Sequence, residues 1–135
     1  MVLVEWSDDL ASGVRILDGQ HKLLTDLLSK LNSAVIASGS SATLATALED
    51  LIDGTKKHFA LEERLMVAVS YTGYVRHKAE HDALIERVLS AQRQVTDGLA
   101  TINTALVAFF REWLTQHIRE ADARLGSYLR RKGLK

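Results

Sequence analysis

Hydrophobic residues recur at alternating intervals of three and four along the first long stretch of the chain. Leu17, Leu24 and Leu28 belong to this series, and His21 occupies one of the same positions. Because an α-helix turns once every 3.6 residues, side chains at these intervals lie on one face of the helix. The pattern therefore predicts an amphipathic helix whose buried face includes a histidine.

Three further stretches repeat this pattern, and each places polar residues among its apolar positions. The second stretch includes His58 and Glu62, the third includes His77 and His81, and the fourth includes His117. Side chains four residues apart lie on nearly the same helical face, one turn apart, so each of the two pairs points in a single direction. We therefore expect four amphipathic helices that aim these side chains into a shared interior.

Small and polar residues separate the four stretches at residues 37–41, at residues 70–73 and at Asp97-Gly98, and the chain contains no proline. Short connections between long helices favour antiparallel neighbours. The sequence therefore predicts an all-α fold, an antiparallel up-down-up-down four-helix bundle. We also expect an extended N-terminal arm over residues 2–6, with Trp6 packed against the bundle as an anchor.

Length and composition agree with one compact bundle. The chain has 135 residues, of which 47% are hydrophobic, and this is enough for a single core. We therefore expect residues 1–135 to form a single domain. The 17 lysine and arginine residues balance 17 acidic residues. We therefore expect the protein to bind neither nucleic acid nor an anionic membrane.

The sequence also bears on location and on the kinds of metal site. The N-terminal residues lack the basic and apolar segments of a secretory signal, and no apolar run approaches the roughly 20 residues of a membrane span. We therefore expect a cytoplasmic protein. Since the chain contains no cysteine, disulfides, iron–sulfur clusters and thiolate zinc sites are excluded.

One spacing among the polar residues does not fit a regular helix. His117 and Asp122 are five residues apart, so their side chains would point roughly 140° away from each other. Either the helix widens into a π-type turn there, or it unravels near Ala121. In the remaining alternative Asp122 is a solvated surface acid, and Glu120 or no residue takes its place.

Seven candidate metal donors result, namely His21, His58, Glu62, His77, His81, His117 and Asp122. A single histidine on an apolar face is more often a hydrogen-bonded core residue than a ligand. Seven polar groups on buried faces, at a cost of about 1–3 kcal/mol for each unpaired neutral group, instead favour a site for two metal ions. Imidazole and carboxylate donors suit pairs of iron, manganese or zinc, and an odd number of imidazoles favours an open coordination position on one metal.

The residues and motifs that carry these donors resemble those of the hemerythrins, and in particular of their single-domain bacterial members. The resemblance runs from Trp6 to Leu129 and covers four motifs. They are Asp18-x-Gln20-His21-Lys22, His58-Phe59-x-x-Glu62-Glu63-x-x-Met66, His77-Lys78-x-x-His81 and Trp113-Leu114-x-x-His117-Ile118-x-x-x-Asp122.

This resemblance implies a non-haem di-iron centre with two iron ions joined by an oxo or hydroxo bridge. One iron would be bound by three histidines, the other by two, and both carboxylates would bridge the pair. The three histidines on the first iron would be His77, His81 and His117, and the two on the second would be His21 and His58. The bridging carboxylates would be Glu62 and Asp122. The resemblance further implies an apolar oxygen pocket formed by Leu24, Trp113, Leu114 and Ile118, although plain core packing explains these four residues equally well.

Two functions remain open at this point. In the first, the protein binds dioxygen reversibly for storage, delivery or sensing and is not an enzyme. In the second, it is a di-iron enzyme with oxidase, peroxidase or nitric-oxide-handling activity. Oxygen-activating di-iron bundles typically use four carboxylates and two histidines, so the five histidines here favour the first. We expect dioxygen as the ligand and an unidentified oxygen-consuming or signalling protein as a possible partner; an iron-sensing or interaction module is a third alternative.

Overall fold

The computed structural model describes residues 10–135, which form four bundle helices and contain no strand. The first three are α1 (Arg15–Ile36), α2 (Ser41–Ala68) and α3 (Tyr74–Thr96), and the fourth is made of α4 (Thr104–His117), a π-helical turn (Ile118–Asp122) and α5 (Ala123–Arg131). The predicted all-α four-helix bundle is thus confirmed. The expected N-terminal arm and Trp6 lie outside the described residues. Within residues 10–135, no helix combines the length and apolar character needed to cross a membrane.

The helix ends follow local side-chain chemistry. Ser40 begins α2 by accepting a hydrogen bond from the backbone N–H of Thr43, and Asn103 begins α4 by accepting one from Leu106, both at 3.1 Å. The first two predicted breaks agree with the structure. The third connection is longer than predicted, because Asn103 delays the start of α4. Ile102 therefore precedes the helix, although it is still buried in the core.

The apolar core is divided along the bundle axis. One large cluster includes Leu28 of α1 and Phe59 of α2, and a second cluster includes Leu17 of α1 and Met66 of α2. On α1 His21 lies between residues of the two clusters, and on α2 Glu62 does, with His58 beside Phe59 at the edge of the first cluster. The fold therefore places a polar layer inside the bundle, closed above and below by hydrophobic side chains.

Close packing of neighbouring helices holds this layer together. Helix α1 packs against α2 and α4, and α2 packs against α3. At Gly54 of α2, an added Cβ atom would lie 2.7 Å from the Cδ1 atom of Leu27 on α1. The absence of a side chain at Gly54 therefore allows the close approach of α1 and α2, one turn before His58.

Candidate metal centre

All seven predicted donors are buried, with relative exposures between 0% and 5%. The structure brings them together in two groups, and within each group the donor atoms lie within 4.8 Å of one another. The first group consists of Glu62, His77, His81, His117 and Asp122, and the second consists of His21, His58, Glu62 and Asp122. We call these the five-donor group and the four-donor group. The two carboxylates belong to both.

Glu62 divides its two carboxylate oxygens between the groups. Its Oε1 atom lies 3.2 Å from Nε2 of His77 and 3.1 Å from Nε2 of His81, both in the five-donor group. Its Oε2 atom lies 3.0 Å from Nε2 of His58 and 3.6 Å from Nε2 of His21, both in the four-donor group. One carboxylate thus contributes a single oxygen to each side of the centre.

Asp122 divides its oxygens in the same way. Its Oδ1 atom lies 3.0 Å from Nε2 of His77 and 3.2 Å from Nε2 of His117, whereas its Oδ2 atom lies 3.0 Å from Nε2 of His21. Two carboxylates arranged in parallel between two sets of imidazoles form the geometry of a doubly bridged pair of cations.

A π-helical turn explains how Asp122 reaches this position. The five residues Ile118–Asp122 form the turn, and Asp122 is buried while Glu120 is exposed. The widening adds one residue to the turn, so the side chains of His117 and Asp122 point to the same interior. Of the alternatives raised by the sequence, the π-type turn is therefore the one observed, and the surface position for Asp122 is wrong.

Several atoms at the centre are buried and have no hydrogen-bond partner within the described part of the chain. They include Nε2 of His21 and His58, Oε2 of Glu62 and both carboxylate oxygens of Asp122. Buried polar atoms without partners are costly, so such a cluster requires an explanation. Donor atoms about 2.1 Å from one cation and at right angles to each other would be about 3.0 Å apart, which matches the separations at the centre. The donor set therefore fits bound cations.

The pKa values of the buried groups show that the centre favours positive charge. Burial by itself lowers the pKa of His21 and of His77, but the adjacent carboxylates of Asp122 and Glu62 outweigh it and raise each pKa to about 9. Burial would raise the pKa of both carboxyl groups, but their histidine neighbours hold the pKa of each well below its ordinary value. The carboxylates thus stay charged and attract positive charge, whether protons or metal ions, to the interior.

Three histidines also make hydrogen bonds through their Nδ1 atoms, on the side of the ring that faces away from the centre. The pairs are His58 with Gln20 Oε1, His81 with Glu63 Oε2 at 3.0 Å, and His117 with Glu80 Oε2 at 3.1 Å. Because each Nδ1–H donates to an oxygen, the Nε2 atom carries the lone pair that faces the interior. The sequence analysis gave none of these three partners a role. The usual pairing of a metal-bound imidazole with a carboxylate is the signal that could have identified Glu63 and Glu80.

Two aromatic rings fix the orientation of imidazoles in the five-donor group. Phe59 stacks on His81 with ring centroids 3.7 Å apart, and Trp113 stacks on His117 with centroids 4.5 Å apart. These rings pack against the faces of the imidazoles, whose edges are held by the hydrogen bonds described above. The two histidines therefore have little freedom to rotate.

The four residues expected to form an oxygen pocket lie together. Leu24, Leu114 and Ile118 are buried in one apolar cluster, and Trp113 packs against it while partly buried. Leu10, which the sequence analysis did not single out, completes this cluster. Leu24 follows His21 by less than one helical turn on α1, so the cluster adjoins the four-donor group.

Comparisons with known proteins agree with this architecture. A family model, the hemerythrin HHE cation binding domain, matches residues 12–129. The chain is 33% identical over 130 residues to the bacteriohemerythrin of Methylococcus capsulatus, covering 96% of this chain and 98% of that protein. It is 33% identical over 123 residues to the bacteriohemerythrin of Pseudomonas aeruginosa, covering 91% and 79% respectively.

Solved structures give the same result at the level of the fold. The crystal structure of a wild-type hemerythrin superposes with a TM-score of 0.89 at 32% sequence identity, covering 93% of this chain and 96% of that one. The matched family model describes a cation-binding domain, in agreement with the buried histidine and carboxylate groups. From its sequence, its fold and these matches, the chain belongs to the hemerythrin family.

Proposed function

We propose that this protein binds dioxygen reversibly at a non-haem di-iron centre held by the seven buried donors. The observation that carries the proposal is the division of Glu62 and Asp122, each of which gives one oxygen to each donor group. Two bridging carboxylates with terminal imidazoles on both sides suit a pair of cations better than one cation. Membership of the hemerythrin family supports this assignment.

The donor spacing suits octahedral cations, and membership of the hemerythrin family supports iron with an oxo or hydroxo bridge between the two ions. Separations of 3.0–3.2 Å between most neighbouring donors are closer to the roughly 3.0 Å of right-angled ligands than to the roughly 3.4 Å of a tetrahedral zinc site. The five-donor group would hold one iron ion. The four-donor group, with one imidazole fewer, would hold the other and leave room for dioxygen, and the bound iron pair would supply the two electrons for reversible binding at that position.

The protein's own residues would protect this position. In our proposal Leu24, Leu114 and Ile118, with Trp113 beside them, form an apolar wall that keeps water and protons away from the four-donor group. Exclusion of water from a metal site slows side reactions and oxidative loss of the reduced state. Leu10 extends this wall.

The protein is not an enzyme, and the alternative of an oxidase, peroxidase or nitric-oxide-handling enzyme is not favoured. The matched relatives are bacteriohemerythrins, and five neutral imidazoles stabilise reduced iron more than the carboxylate-rich sets of oxygen-activating bundles do.

We further propose that residues 1–135 form one hemerythrin-like domain and that the protein acts in the cytoplasm. In this scheme dioxygen is stored, delivered to an oxygen-consuming protein or reported to a signalling partner.

Metal analysis and oxygen cycling test the proposal. We expect two iron ions for each chain, and a visible absorption band that forms when air reaches the reduced protein and disappears when oxygen is removed. The metal-free protein serves as the control and should show no band. Continuous oxygen consumption with a reductant, or a band that does not reverse over repeated cycles, would support the enzyme alternative instead.

A further inference from the structure

The two halves of the centre differ in how many donors they have. The five-donor group has three imidazoles of its own, while the four-donor group has only His21 and His58, and the two groups share both carboxylates. A cation that reaches the five-donor group first would therefore gain more ligands. Once there, its charge would offset that of Glu62 and Asp122 and so weaken their attraction for a second cation.

The hydrogen-bond partners behind the imidazoles strengthen this difference. In the five-donor group, His81 and His117 donate to carboxylates, those of Glu63 and Glu80. In the four-donor group, His58 donates to the neutral amide of Gln20, and Nδ1 of His21 is buried without a partner among residues 10–135. A carboxylate makes the imidazole a stronger donor as well as orienting it, whereas an amide adds no charge.

The carboxylates of Glu63 and Glu80 each have a cationic side chain nearby. Nζ of Lys78 lies 3.6 Å from Oε1 of Glu63, and Nε of Arg76 lies 3.7 Å from Oε1 of Glu80. Both contacts are on the side of each carboxylate away from its histidine. Arg76 is 79% exposed and Lys78 lies closer to Asp82, at 3.0 Å, so these ion pairs add only weakly to the orientation in which the other oxygen faces the imidazole.

We propose that the two halves bind metal in order, with the five-donor group filling first and emptying last. This inference rests on the proposed two-metal centre. Glu63 and Glu80 act as positioning residues that set the order through His81 and His117. The four-donor group is then the exchangeable half, so a protein that holds one ion is an intermediate of loading and of iron loss.

Anaerobic titration of the metal-free protein with ferrous iron, followed by native mass spectrometry, tests the order. The one-ion form should predominate at one equivalent, with the second ion bound at least about tenfold more weakly than the first. His21→Ala should retain the first ion and lose the second. Binding of both ions in one step, without a one-ion form, would overturn the inference.

Charge-changing variants identify the residues responsible. Glu63→Gln and Glu80→Gln keep a hydrogen-bond acceptor but remove the charge, and each should weaken the first step by about 10- to 100-fold with little change in the second. Gln20→Glu is the reciprocal variant, and it should tighten the second step instead. Circular dichroism of each metal-free variant verifies that its helices are intact.

The outcomes separate the inference from the proposed function. Two ions that bind stepwise, with the glutamate variants acting on the second step, would overturn the order while leaving the two-metal centre in place. A wild-type protein that never binds a second ferrous ion would instead overturn the centre itself, and the order with it. Selective weakening of the first step by both glutamate variants would support the inference.

Discussion

At the scale of single residues, the centre depends on two carboxylates that each serve two sets of imidazoles. Glu62 and Asp122 are almost completely buried, so neither can be satisfied by water. Their oxygens meet imidazole nitrogens on both sides, and their charge is what raises the pKa of His21 and His77. A change to either carboxylate should therefore affect both the five-donor group and the four-donor group.

We expect Glu62→Gln to reduce the metal content from two ions to one or fewer for each chain. An amide has one oxygen donor and no charge, so it cannot bridge two cations as a carboxylate does. Iron content measured after anaerobic reconstitution tests this expectation. Glu86→Gln, an exposed change of the same kind on α3, is the matched control and should keep two ions. Full loading of Glu62→Gln would show that Glu62 is not a bridging ligand.

The inward positions of His21, His58, Glu62, His77, His81 and His117 could be predicted because helical periodicity fixes which residues share a face, whereas Asp122 reaches the interior only through the π-helical turn. The hydrogen-bond partners of the histidines could not be found in this way. Glu80 is directly beside His81 in sequence, yet it accepts from His117 of another helix. Such a contact depends on how far apart two helices pack and on their relative rotation, which a one-dimensional pattern does not contain.

At the scale of secondary structure, the π-helical turn is the element on which the centre most depends. It brings Asp122 inward and also sets the rotation of α5, whose buried residues are Leu125, Gly126 and Leu129. Since each residue turns a helix by about 100°, one further residue in the turn would rotate everything after it. The turn therefore couples the inward position of Asp122 to the packing of the last helix.

We expect insertion of one alanine after Glu120 to lower both thermal stability and metal content. The π-helical turn already accommodates one extra residue, so a second would rotate either Asp122 or the apolar face of α5 out of its place. Glu120→Ala is the matched control because it places an alanine at the same exposed site without changing the number of residues, and surface changes of this kind are usually within about 0.5 kcal/mol. An insertion variant with unchanged metal content and melting temperature would contradict this role of the turn.

Gly126 on α5 permits a second contact on which the element depends. An added Cβ atom would lie 2.7 Å from the backbone oxygen of Ser12, and Ser12 is itself fixed by hydrogen bonds to Asp18 at 2.7 Å. We therefore expect Gly126→Ala to lower the free energy of unfolding by about 1–3 kcal/mol. Gly19→Ala on α1 is the control, since no atom lies within 4 Å of its added Cβ. It should leave stability unchanged or raise it by up to about 1 kcal/mol, and equal effects in urea unfolding would contradict the close approach.

Element boundaries could be predicted where the breaking residues themselves define them. The serine- and glycine-rich segment 37–41 and the segment 70–73 end helices at the expected places. The start of α4 could not be predicted from the apolar pattern. Ile102 continues the apolar periodicity of the helix, but the N-cap Asn103 follows it, so the helix begins only at Thr104. Capping by a side chain decides the boundary here, and burial of Ile102 in the core does not require it to be helical.

At the scale of the whole molecule, the bundle encloses a polar layer between two apolar clusters. Without metal, the raised pKa values of His21 and His77 favour their protonated forms, paired with the two buried carboxylates. With metal, the same nitrogens would bind cations and carry no proton at Nε2. Metal-free and metal-loaded protein should therefore depend on pH in different ways.

We expect the stability of the metal-free protein to fall as pH rises from about 6.5 to about 9. The pKa values of His21 and His77 are raised from 6.5 to about 9 in the fold, so the folded chain holds these protons more tightly than the unfolded chain. Their contribution is complete below the unfolded value and is lost as pH rises through the folded one. The pKa values of Glu62 and Asp122 are lowered from 4.5 and 3.8, so their contribution is lost as pH falls below this range.

Urea unfolding at a series of pH values, with and without iron, measures both effects. The metal-free protein should be most stable between about pH 4.5 and pH 6.5, where the carboxylates are charged and the histidines protonated. Iron-loaded protein should show no alkaline decline, because its imidazoles are already without the competing proton, and it should lose metal and stability in acid as the imidazoles take up protons. A metal-free protein whose stability is constant from pH 6.5 to pH 9 would show that His21 and His77 are not protonated partners of the two carboxylates.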